Sequence, residues 1–425
     1  MNIINKVFFI LLVLAVSPLF AQNDLSFGYR KPEAETITFV QKINDAGWLA
    51  ATVQNPDGSY VTVSGSGYYH QSILVRKIKA SGQKVWERTL DFEDSTEITG
   101  IAQTTDGGFA IVGYGCKEPY CIDVTGQFLV KLRPNGTVAW NRRLTDGLLP
   151  YYNLSQSVIP TSDGGVISIG AFVVVRFTAT GDVVWMKSFS GFDSGELVSV
   201  ATHDNGIIVA TRIHSFKKDG VNVMKITDSG NVLWRKSLEV EDFDFQSAGI
   251  TTNNGVILAG NGTNSNKLKI IVLNAGGALN WRAEYSLKGS GTIHSVASPN
   301  QTTDGGYVIT GSGRGFGFIA KIDSSRKLAF QYTFRASGKS VFVTSDGGFL
   351  LFANVDSTSL LISKVNSEGM TECGFFKPLG AGSRTSFGAL KLTGLDTAAT
   401  DIPMEELPFA LTSDVTDHPV SNLCK

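Results

Sequence analysis

The chain has 425 residues and a formal net charge of −1, and only 18% of its residues are charged. A balance this close to neutral gives no electrostatic attraction to nucleic acid or to an anionic membrane surface. With 46 glycines and 42% hydrophobic residues, the composition is typical of a turn-rich β protein.

The first residues are typical of a secretory signal peptide. Lys6 provides a basic start, an apolar run extends from Val7 to Val16, and Leu19-Phe20-Ala21 provides a cleavage site. The apolar run is too short for a transmembrane helix, and no cysteine follows the cleavage site to carry a lipid anchor. We predict that residues 1–21 are removed and that the mature chain is secreted or periplasmic, with no membrane span. The alternative is a buried N-terminal strand.

A short turn motif occurs seven times in the chain. A good copy, "QTTDGGFAIVGYG", begins at Gln103. The copies repeat at roughly 50 residues, a period typical of solenoids and propellers. Their acidic or amide turn residues are Asp57, Asp106, Asp163, Asp204, Asn253, Asp304 and Asp346.

A second motif alternates with the first, and a good copy, "LVKLRPNGTVAWNRRL", begins at Leu129. Each copy has an alternating run, a glycine-containing turn and a second run. The second runs carry Trp86, Trp140, Trp185, Trp234 and Trp281, with Phe330 and Cys373 at the same place in the last two copies. We predict that these tryptophans are structural and lock neighbouring repeats together.

Together the two motifs predict an all-β fold. Short alternating runs rich in Val, Ile, Phe and Trp indicate strands, and D-G, N-G and G-G between them indicate tight hairpins. Each repeat is then a four-stranded antiparallel sheet, which cannot bury both of its faces alone. Seven such sheets around an axis predict a seven-bladed β-propeller over residues 22–376, which we expect to be a monomer. The alternative is a β-solenoid.

The two ends of the repeat region leave the closure of the ring open. Thr36–Ile43 ("TITFVQKI") and "MTECGFF" from Met370 compete to supply the fourth strand of the last blade, and we favour the N-terminal segment. Residues 377–425 depart from the repeat and form a short C-terminal extension packed on the propeller. Within it, "SFGALKLTGL" and "LPFALTSDVT" predict either two extra strands on the side of the propeller or a small cap.

Four cysteines in an exported chain indicate disulfide bonds. Cys116 and Cys121 flank "KEPY", so we predict a local bridge between them. Cys373 and Cys424 would then tie the C-terminus to the end of blade seven. Four cysteines allow three pairings, and a metal site is the weaker alternative because the first spacing is not C-x-x-C and no histidine is near it.

The predicted topology places the tight turns on one face of the disc and the connections of variable length on the other. Because binding residues usually lie on variable loops over a rigid scaffold, we predict the ligand site on the variable face. Its aromatic and cationic side chains suit a carbohydrate or an exported protein partner. The candidate ligand-binding residues are Tyr68, Tyr69, His70, Tyr120, Tyr151, Tyr152, Arg212, His214 and Arg314.

No strong catalytic signature is present in the sequence. It has no G-x-S-x-G, H-E-x-x-H or Walker loop. A polysaccharide lyase could use a histidine or tyrosine as base beside a cation, which Tyr68, His70, Arg212 and His214 would supply. We expect no cofactor and no metal. The alternative is Ca²⁺ on the acidic links between blades, which carry Asp94, Glu97, Asp193, Glu196, Asp242 and Asp244.

The repeat "QTTDGGFAIVGYG … FLVKLRPNGTVAWNRRL" resembles that of bacterial secreted T-S-D-G-G repeat propellers and, more distantly, quinoprotein and WD40-like propellers. The resemblance covers Ile37 to about Phe376. It implies the propeller fold, export and a binding or surface role. Quinone enzymes of this type are expected to have eight blades and an adjacent cysteine pair, so the resemblance does not extend to the cofactor.

These observations predict an exported, non-catalytic β-propeller that binds a glycan or an exported protein. A polysaccharide lyase or glycoside hydrolase acting on the variable face is the enzyme alternative, and a structural scaffold is the third hypothesis.

Overall fold

The computed structural model describes residues 38–65, 70–116, 124–144, 155–170, 173–189, 197–215, 218–263, 265–287, 291–371, 374–379, 382–385, 390–394, 399–401, 406–407, 411–414 and 420–422. Contacts divide the chain into Met1–Glu35 and Thr36–Lys425, and every described residue belongs to the second unit. The predicted signal peptide lies outside the described residues. Within the ranges given above, no helix is long and apolar enough to cross a membrane.

Seven four-stranded antiparallel blades form a β-propeller, as the repeat predicted. The first strand of the chain, β1 (Phe39–Ile43), belongs to the last blade. Blades 1 to 3 contain β2 (Trp48–Gln54), β3 (Tyr60–Gly65), β4 (His70–Ile78), β5 (Lys84–Gln103), β6 (Phe109–Cys116), β7 (Val124–Leu132), β8 (Val138–Leu144), β9 (Ser155–Pro160), β10 (Val166–Gly170), β11 (Val174–Phe177) and β12 (Val183–Phe189).

The remaining blades repeat the same order of strands, from an inner strand at the axis to an outer strand at the perimeter. Blades 4 to 7 contain β13 (Leu197–Ala201), β14 (Gly206–Ser215), β15 (Lys218–Thr227), β16 (Val232–Val240), β17 (Asp244–Ile250), β18 (Val256–Asn261), β19 (Lys267–Leu273), β20 (Leu279–Ser286), β21 (Ile293–Gln301), β22 (Tyr307–Gly313), β23 (Phe316–Ile322), β24 (Leu328–Phe334), β25 (Ser337–Val343), β26 (Phe349–Asn354) and β27 (Leu360–Val365).

One predicted link between blades is part of a strand instead. The sequence places Asp94 and Glu97 on a link between blades 1 and 2, within "DFEDSTE" (Asp91–Glu97). This segment lies inside β5, whose first half pairs with β4 and whose second half pairs with β6. The prediction was wrong because both ends of the segment find pairing partners, so the chain passes from the perimeter to the axis without leaving the extended conformation.

The N-terminal strand closes the ring. Phe39–Ile43 pairs antiparallel with Leu360–Lys364 and so supplies the fourth strand of blade 7. This confirms the prediction that favoured the N-terminal segment over "MTECGFF". Because the two strands come from opposite ends of the repeat region, the closure joins the termini of the propeller.

The C-terminal segment forms a belt around the propeller. The two segments predicted as extra strands do add strands to the side of the propeller, at Leu390–Gly394 and Leu411–Asp414, and the belt contains five further strands that the sequence did not predict. Seven short strands each add a fifth strand to one blade, in the order 6, 5, 4, 3, 2, 1 and 7. We call this segment the belt, and its strands are β28 (Lys377–Pro378), β29 (Ser383–Thr385), β30 (Leu390–Gly394), β31 (Ala399–Asp401), β32 (Glu406–Leu407), β33 (Leu411–Asp414) and β34 (Val420–Asn422).

Each belt strand pairs antiparallel with the outer strand of its blade. An unpaired outer strand would present a row of free N–H and C=O groups. The belt strands occupy part of that edge on each of the seven blades. The last belt strand pairs with β1, which is itself the strand that closes the ring.

The hydrophobic core consists of seven separate layers, one between each pair of neighbouring blades. The layer that joins blade 7 to blade 1 contains Tyr60 and Phe352, both 0% exposed, with ring centroids 5.5 Å apart. Burial of this kind stabilises a fold by about 25 cal/mol per Å² of apolar surface. Each blade therefore depends on both neighbours for its burial.

Four of the tryptophans hold one blade to the next, as the sequence predicted. In four blades the ring packs on the turn glycine that lies between the third and fourth strands of the following blade. These pairs are Trp86 and Gly136, Trp140 and Gly181, Trp185 and Gly230, and Trp234 and Gly277.

Each of these glycines has a positive φ, which a Cβ disfavours, and an added Cβ would lie 2.8 Å from the rings of Trp140 or Trp234. The indole nitrogen of Trp234 also donates a hydrogen bond to Ala275 O at 2.8 Å. Glycine is needed there both for the turn and for the close approach of the ring.

The D-G-G turns are held by a cation from the third strand of the same blade. In blade 2, Gly108 N donates to Asp106 Oδ1 at 2.9 Å and Thr104 Oγ1 donates to the same oxygen at 2.6 Å. The buried Lys131 Nζ lies 2.8 Å from both oxygens of that carboxylate. The turn aspartate therefore closes its own hairpin and also neutralises a lysine that the blade interface buries.

Candidate functional site

A cavity of about 940 Å³ lies on the axis of the propeller. The inner strands of all seven blades line it, with Gln54, Gln103, Pro160, Ala201, Ile250, Asn300 and Thr344 near the ends of those strands. We call the face that carries the D-G-G turns the turn face, and the opposite one the loop face. Because Asn55, Pro56, Asp57 and Gly58 of the blade 1 turn also line the cavity, it extends to the turn face.

The lining of the cavity is almost entirely neutral. Its polar groups are hydroxyls and amides, and they alternate with small apolar side chains; the polar members include Thr52, Gln54, Gln103, Ser157, Ser199, Ser298, Asn300 and Ser340. Among the described residues that line the cavity, Asp57 is the one charged side chain, and Lys77 Nζ lies 3.3 Å from it. Such a lining can hydrogen-bond a neutral polar ligand.

Hydrogen bonds between neighbouring inner strands hold this lining in place. Ser199 Oγ donates to Ser157 Oγ at 2.6 Å across blades 3 and 4. Asn300 Nδ2 donates to Val341 O at 2.8 Å across blades 6 and 7. The side chain of Gln54 joins blade 1 to blade 7 in the same way, because its Nε2 donates to Val343 O at 3.2 Å. The cavity is therefore formed by a preorganised ring of strands.

The inner strands are irregular on the loop-face side of the cavity. In blades 1, 2, 3, 5 and 7 one extra residue interrupts the pairing of the first and second strands at the same register position. These residues are Ala50, Thr99, Gln156, Gln246 and Lys339. Bulges of this kind are over-represented next to functional sites because they redirect a side chain.

Two charged contacts lie at the loop-face ends of the inner strands. Arg212 Nη1 of blade 4 lies 2.6 Å from Asp244 Oδ1 of blade 5, and each side chain is about a quarter exposed. Lys339 Nζ of blade 7 lies 4.9 Å from the ring centroid of Trp48 of blade 1. Burial lowers the pKa of Lys339. The loop face of the axis therefore carries charge and an aromatic ring, whereas the cavity is neutral.

The described candidates from the sequence lie on three different blades. His70 begins β4 in blade 1, His214 lies in β14 of blade 4 opposite Asp219, and Arg314 is exposed in the turn between β22 and β23 of blade 6. Arg212 forms the ion pair with Asp244. The side chains of His70 and His214 lie outside the described part of the chain, as do Tyr68, Tyr69, Tyr120, Tyr151 and Tyr152.

The predicted disulfides, and the acidic links that carry the calcium alternative, are described only in part. The backbone of Cys116 ends β6, and Cys121, Cys373 and Cys424 lie outside the described residues. Of the acidic links, Asp242 pairs with Lys269 at 3.0 Å and Asp244 pairs with Arg212 at 2.6 Å. Among the residues that the structure describes, no three His, Cys, Asp or Glu side chains gather as a metal site would require.

Sequence reasoning missed the axial cavity and the contact of Lys339 with Trp48. A signal for the cavity was present, because a serine precedes the turn threonine by three or four residues in several repeats, as in Ser157 before Thr161, Ser199 before Thr202 and Ser340 before Thr344. The signal for Lys339 was absent, because its partner lies at the opposite end of the repeat region.

Comparison with protein families identifies the relatives of this chain. The family model described as the outer membrane protein assembly factor BamB matches residues 127–363, which is more than half of the 425 residues. The chain belongs to this family. None of the curated proteins matches the sequence.

Solved structures support the fold. A catalytically inactive virginiamycin B lyase from Staphylococcus aureus with quinupristin is 9% identical, with a TM-score of 0.53, and the match covers 77% of this chain and 100% of that chain. The hydrazine synthase of Kuenenia stuttgartiensis is 13% identical, with a TM-score of 0.52, and the match covers 76% of this chain and 96% of that chain. At such low identity, these likenesses concern the propeller fold alone.

Proposed function

We propose that this protein is an exported, non-catalytic binding protein whose partner is another exported polypeptide. In this proposal the partner inserts a neutral polar segment into the axial cavity. The observation that carries the proposal is the neutral lining of the cavity.

Catalysis by general acid, general base or nucleophile needs titratable or activated side chains that converge on one point. The cavity offers hydroxyl and amide groups such as Gln103, Ser199 and Asn300 instead. Groups of this kind hydrogen-bond the backbone and side chains of a polypeptide without reacting with it. A preorganised site also binds at a lower entropic cost, because its side chains are already held by their neighbours.

The polypeptide partner is favoured over a glycan by the family of the chain, whose description is that of an assembly factor for outer membrane proteins. Export is favoured by the N-terminal sequence. A glycan-binding role for the same cavity would use the same hydroxyl and amide groups, so the experiment must separate the two ligands.

A photo-crosslinking residue at Gln103, in the cell that produces the protein, tests the proposal. We expect it to give an adduct with one exported polypeptide, and the same residue at the perimeter position Val183, which is 37% exposed, to give none. The identified polypeptide is then purified and titrated against the mature chain.

A second pair of variants tests whether the cavity is the binding site. Ala201→Trp fills the cavity and should weaken binding at least tenfold, whereas Val183→Trp should leave it unchanged. Equal binding by both variants, or saturable binding of neutral glycans on an array in place of any polypeptide, would contradict the proposal. Substrate turnover with uronic-acid polysaccharides would favour the lyase hypothesis instead.

A further inference from the structure

Lys339 lies at a special position on the inner strand of blade 7. It is the extra residue of the bulge between Gly338 and Ser340, and its neighbour Ser340 lines the axial cavity. Its side chain is half-buried. The bulge therefore places a partly desolvated ammonium on the loop-face side of the neutral cavity.

The surroundings of Lys339 differ from those of the other desolvated lysines. Lys131, Lys225, Lys321 and Lys364 each lie 2.6–2.8 Å from a turn carboxylate. Among the described residues, the recorded contact of Lys339 is with the ring of Trp48, and no carboxylate pairs with it. Burial accordingly lowers its pKa. A desolvated cation without a counter-charge is costly to maintain and indicates a binding role.

Trp48 gives this cation an accessible apolar neighbour. Its side chain is 39% exposed, which is unusual for so large a ring. Trp48 pairs in register with Gly65, the residue just before the segment 66–69 that carries two of the candidate tyrosines. A ligand that reaches Trp48 therefore approaches from the face where the sequence predicted binding residues.

We propose that Lys339 and Trp48 form a subsite for an acidic side chain of the polypeptide partner, at the loop-face end of the propeller axis. The carboxylate provides a counter-charge that the described residues do not give to Lys339, and the indole ring covers the methylene groups of the same side chain. Exclusion of water by the ring strengthens the charge-assisted hydrogen bond. This inference rests on the proposed function, because it takes the partner to be a polypeptide.

A purely structural role is the competing explanation. The contact between Lys339 and Trp48 joins blade 7 to blade 1, and a cation–π contact contributes to stability on its own. A structural role predicts that Lys339→Met lowers the unfolding temperature and leaves the binding of acidic ligands unchanged.

Binding of defined peptides separates these explanations. The probes are short fluorescent peptides of alternating Gly and Glu, matched peptides of Gly and Gln, and uronic-acid oligosaccharides. We expect the Glu peptide to bind the mature chain about tenfold more tightly than the Gln peptide, as a charge-assisted hydrogen bond would give. Lys339→Met should abolish that preference, and Lys339→Arg should retain part of it.

Lys327→Met is the matched control, because Lys327 is exposed in a turn of blade 6 on the turn face. It should leave the preference for Glu unchanged. A second readout follows the acylation of amines by mass spectrometry, in which the Glu peptide should slow the labelling of Lys339 and not that of Lys327.

Retention of the Glu preference in Lys339→Met would overturn the subsite, as would binding of uronic acids without binding of Glu peptides. Either result leaves the proposed function to be decided by crosslinking at Gln103. If a polypeptide binds in the cavity while Lys339→Met binds it with unchanged affinity, the subsite is wrong and the proposed function stands.

Discussion

The ammonium of Lys131 lies 2.8 Å from both carboxylate oxygens of Asp106, although 25 residues separate the two in sequence. Five other blades repeat this pair, which joins Asp57 to Lys77, Asp163 to Arg176, Asp204 to Lys225, Asp304 to Lys321 and Asp346 to Lys364. In blade 5 the turn residue is Asn253, and Val272 occupies the register position of the cation. Both members of the pair are absent together, so the two residues act as one unit.

Replacement of Asp106 and Lys131 by the residue types of blade 5, Asn and Val, tests whether the two residues act as one unit. Asp106→Asn alone should lower the free energy of unfolding by about 1–3 kcal/mol, because the buried Lys131 ammonium loses its counter-charge and keeps only neutral acceptors such as Thr104 Oγ1 at 2.6 Å. Lys131→Val alone should cost about 1–3 kcal/mol. The double variant should lose clearly less than the sum of the two. Denaturant unfolding of the four proteins measures this coupling, and additive losses would show that the pair is not a unit.

The same pairs predict acid sensitivity. The hydrogen bond from Lys225 and a second one from Thr202 lower the pKa of Asp204 to about 2. Burial raises the pKa of Asp304, but hydrogen bonds from Lys321 and Thr302 outweigh it and bring the pKa to about 2. An aspartate in the unfolded chain has a pKa of about 3.9. Because the folded pKa is the lower one, the unfolded chain binds more protons, and the stabilisation is lost as the pH falls from about 4 to about 2.

Thermal unfolding between pH 7 and pH 2 measures this loss. We expect the unfolding temperature to fall most steeply below pH 4. The unfolding temperature of Asp204→Asn should be lower than that of the parent chain at pH 7. The two temperatures should approach each other near pH 2, because the variant has no carboxylate at position 204 to protonate. Parallel curves for the two proteins over the whole range would contradict the assigned role of Asp204.

The packing of tryptophan on a turn glycine predicts a large effect of a single methyl group. Gly277 has a φ of +77°, and an added Cβ would lie 2.8 Å from the ring of Trp234. Gly347 has nearly the same φ, +79°, but nothing lies within 4 Å of the added Cβ. Gly347→Ala should therefore cost about 1–2 kcal/mol of unfolding free energy from the backbone alone.

Gly277→Ala should cost about 1–3 kcal/mol more than Gly347→Ala, because the ring must also move. Denaturant unfolding of the two variants side by side isolates the contribution of the ring. Equal losses of unfolding free energy in the two variants would mean that the ring of Trp234 moves aside without an energetic penalty. Its packing would then not hold blades 4 and 5 together.

Truncation of the belt should expose the perimeter in a defined order. A chain that ends at Phe376 lacks all seven belt strands, whereas a chain that ends at Thr385 keeps β28 on blade 6 and β29 on blade 5. We expect the chain that ends at Phe376 to unfold at a lower temperature than the chain that ends at Thr385. It should also expose more sheet edges that favour self-association.

Hydrogen exchange measures which outer strands keep their belt partner. In the chain that ends at Thr385, protection should persist in Ser286 and Thr333, which lie opposite Ser383 and Lys377 on the outer strands that keep a partner. It should fall in β16, which loses its pairing with β30. Equal protection of β16 and β20 in that variant would contradict the position of the belt.

The residues that determined the blades act over short distances. The turns at Asp106 and Asp304, with the alternating runs around them, specify their hairpins locally, because a tight turn with positive φ needs Gly, Asn or Asp. The place of Trp234 in its repeat likewise predicted a contact with the next blade. Seven copies of such a unit bury their faces only as a ring, so the number of repeats predicted the number of blades.

The tertiary structure decided what depends on distant parts of the chain. Register between Phe39 and Lys364, the belt and the contact of Lys339 with Trp48 all join segments that no local pattern links. The cavity at Ser199 and Gln103 exists because seven inner strands meet at the axis, although each of those strands resembles an ordinary buried strand in sequence. Closure of a ring is a cooperative outcome of long-range pairing, and its free energy cannot be assigned to any one repeat.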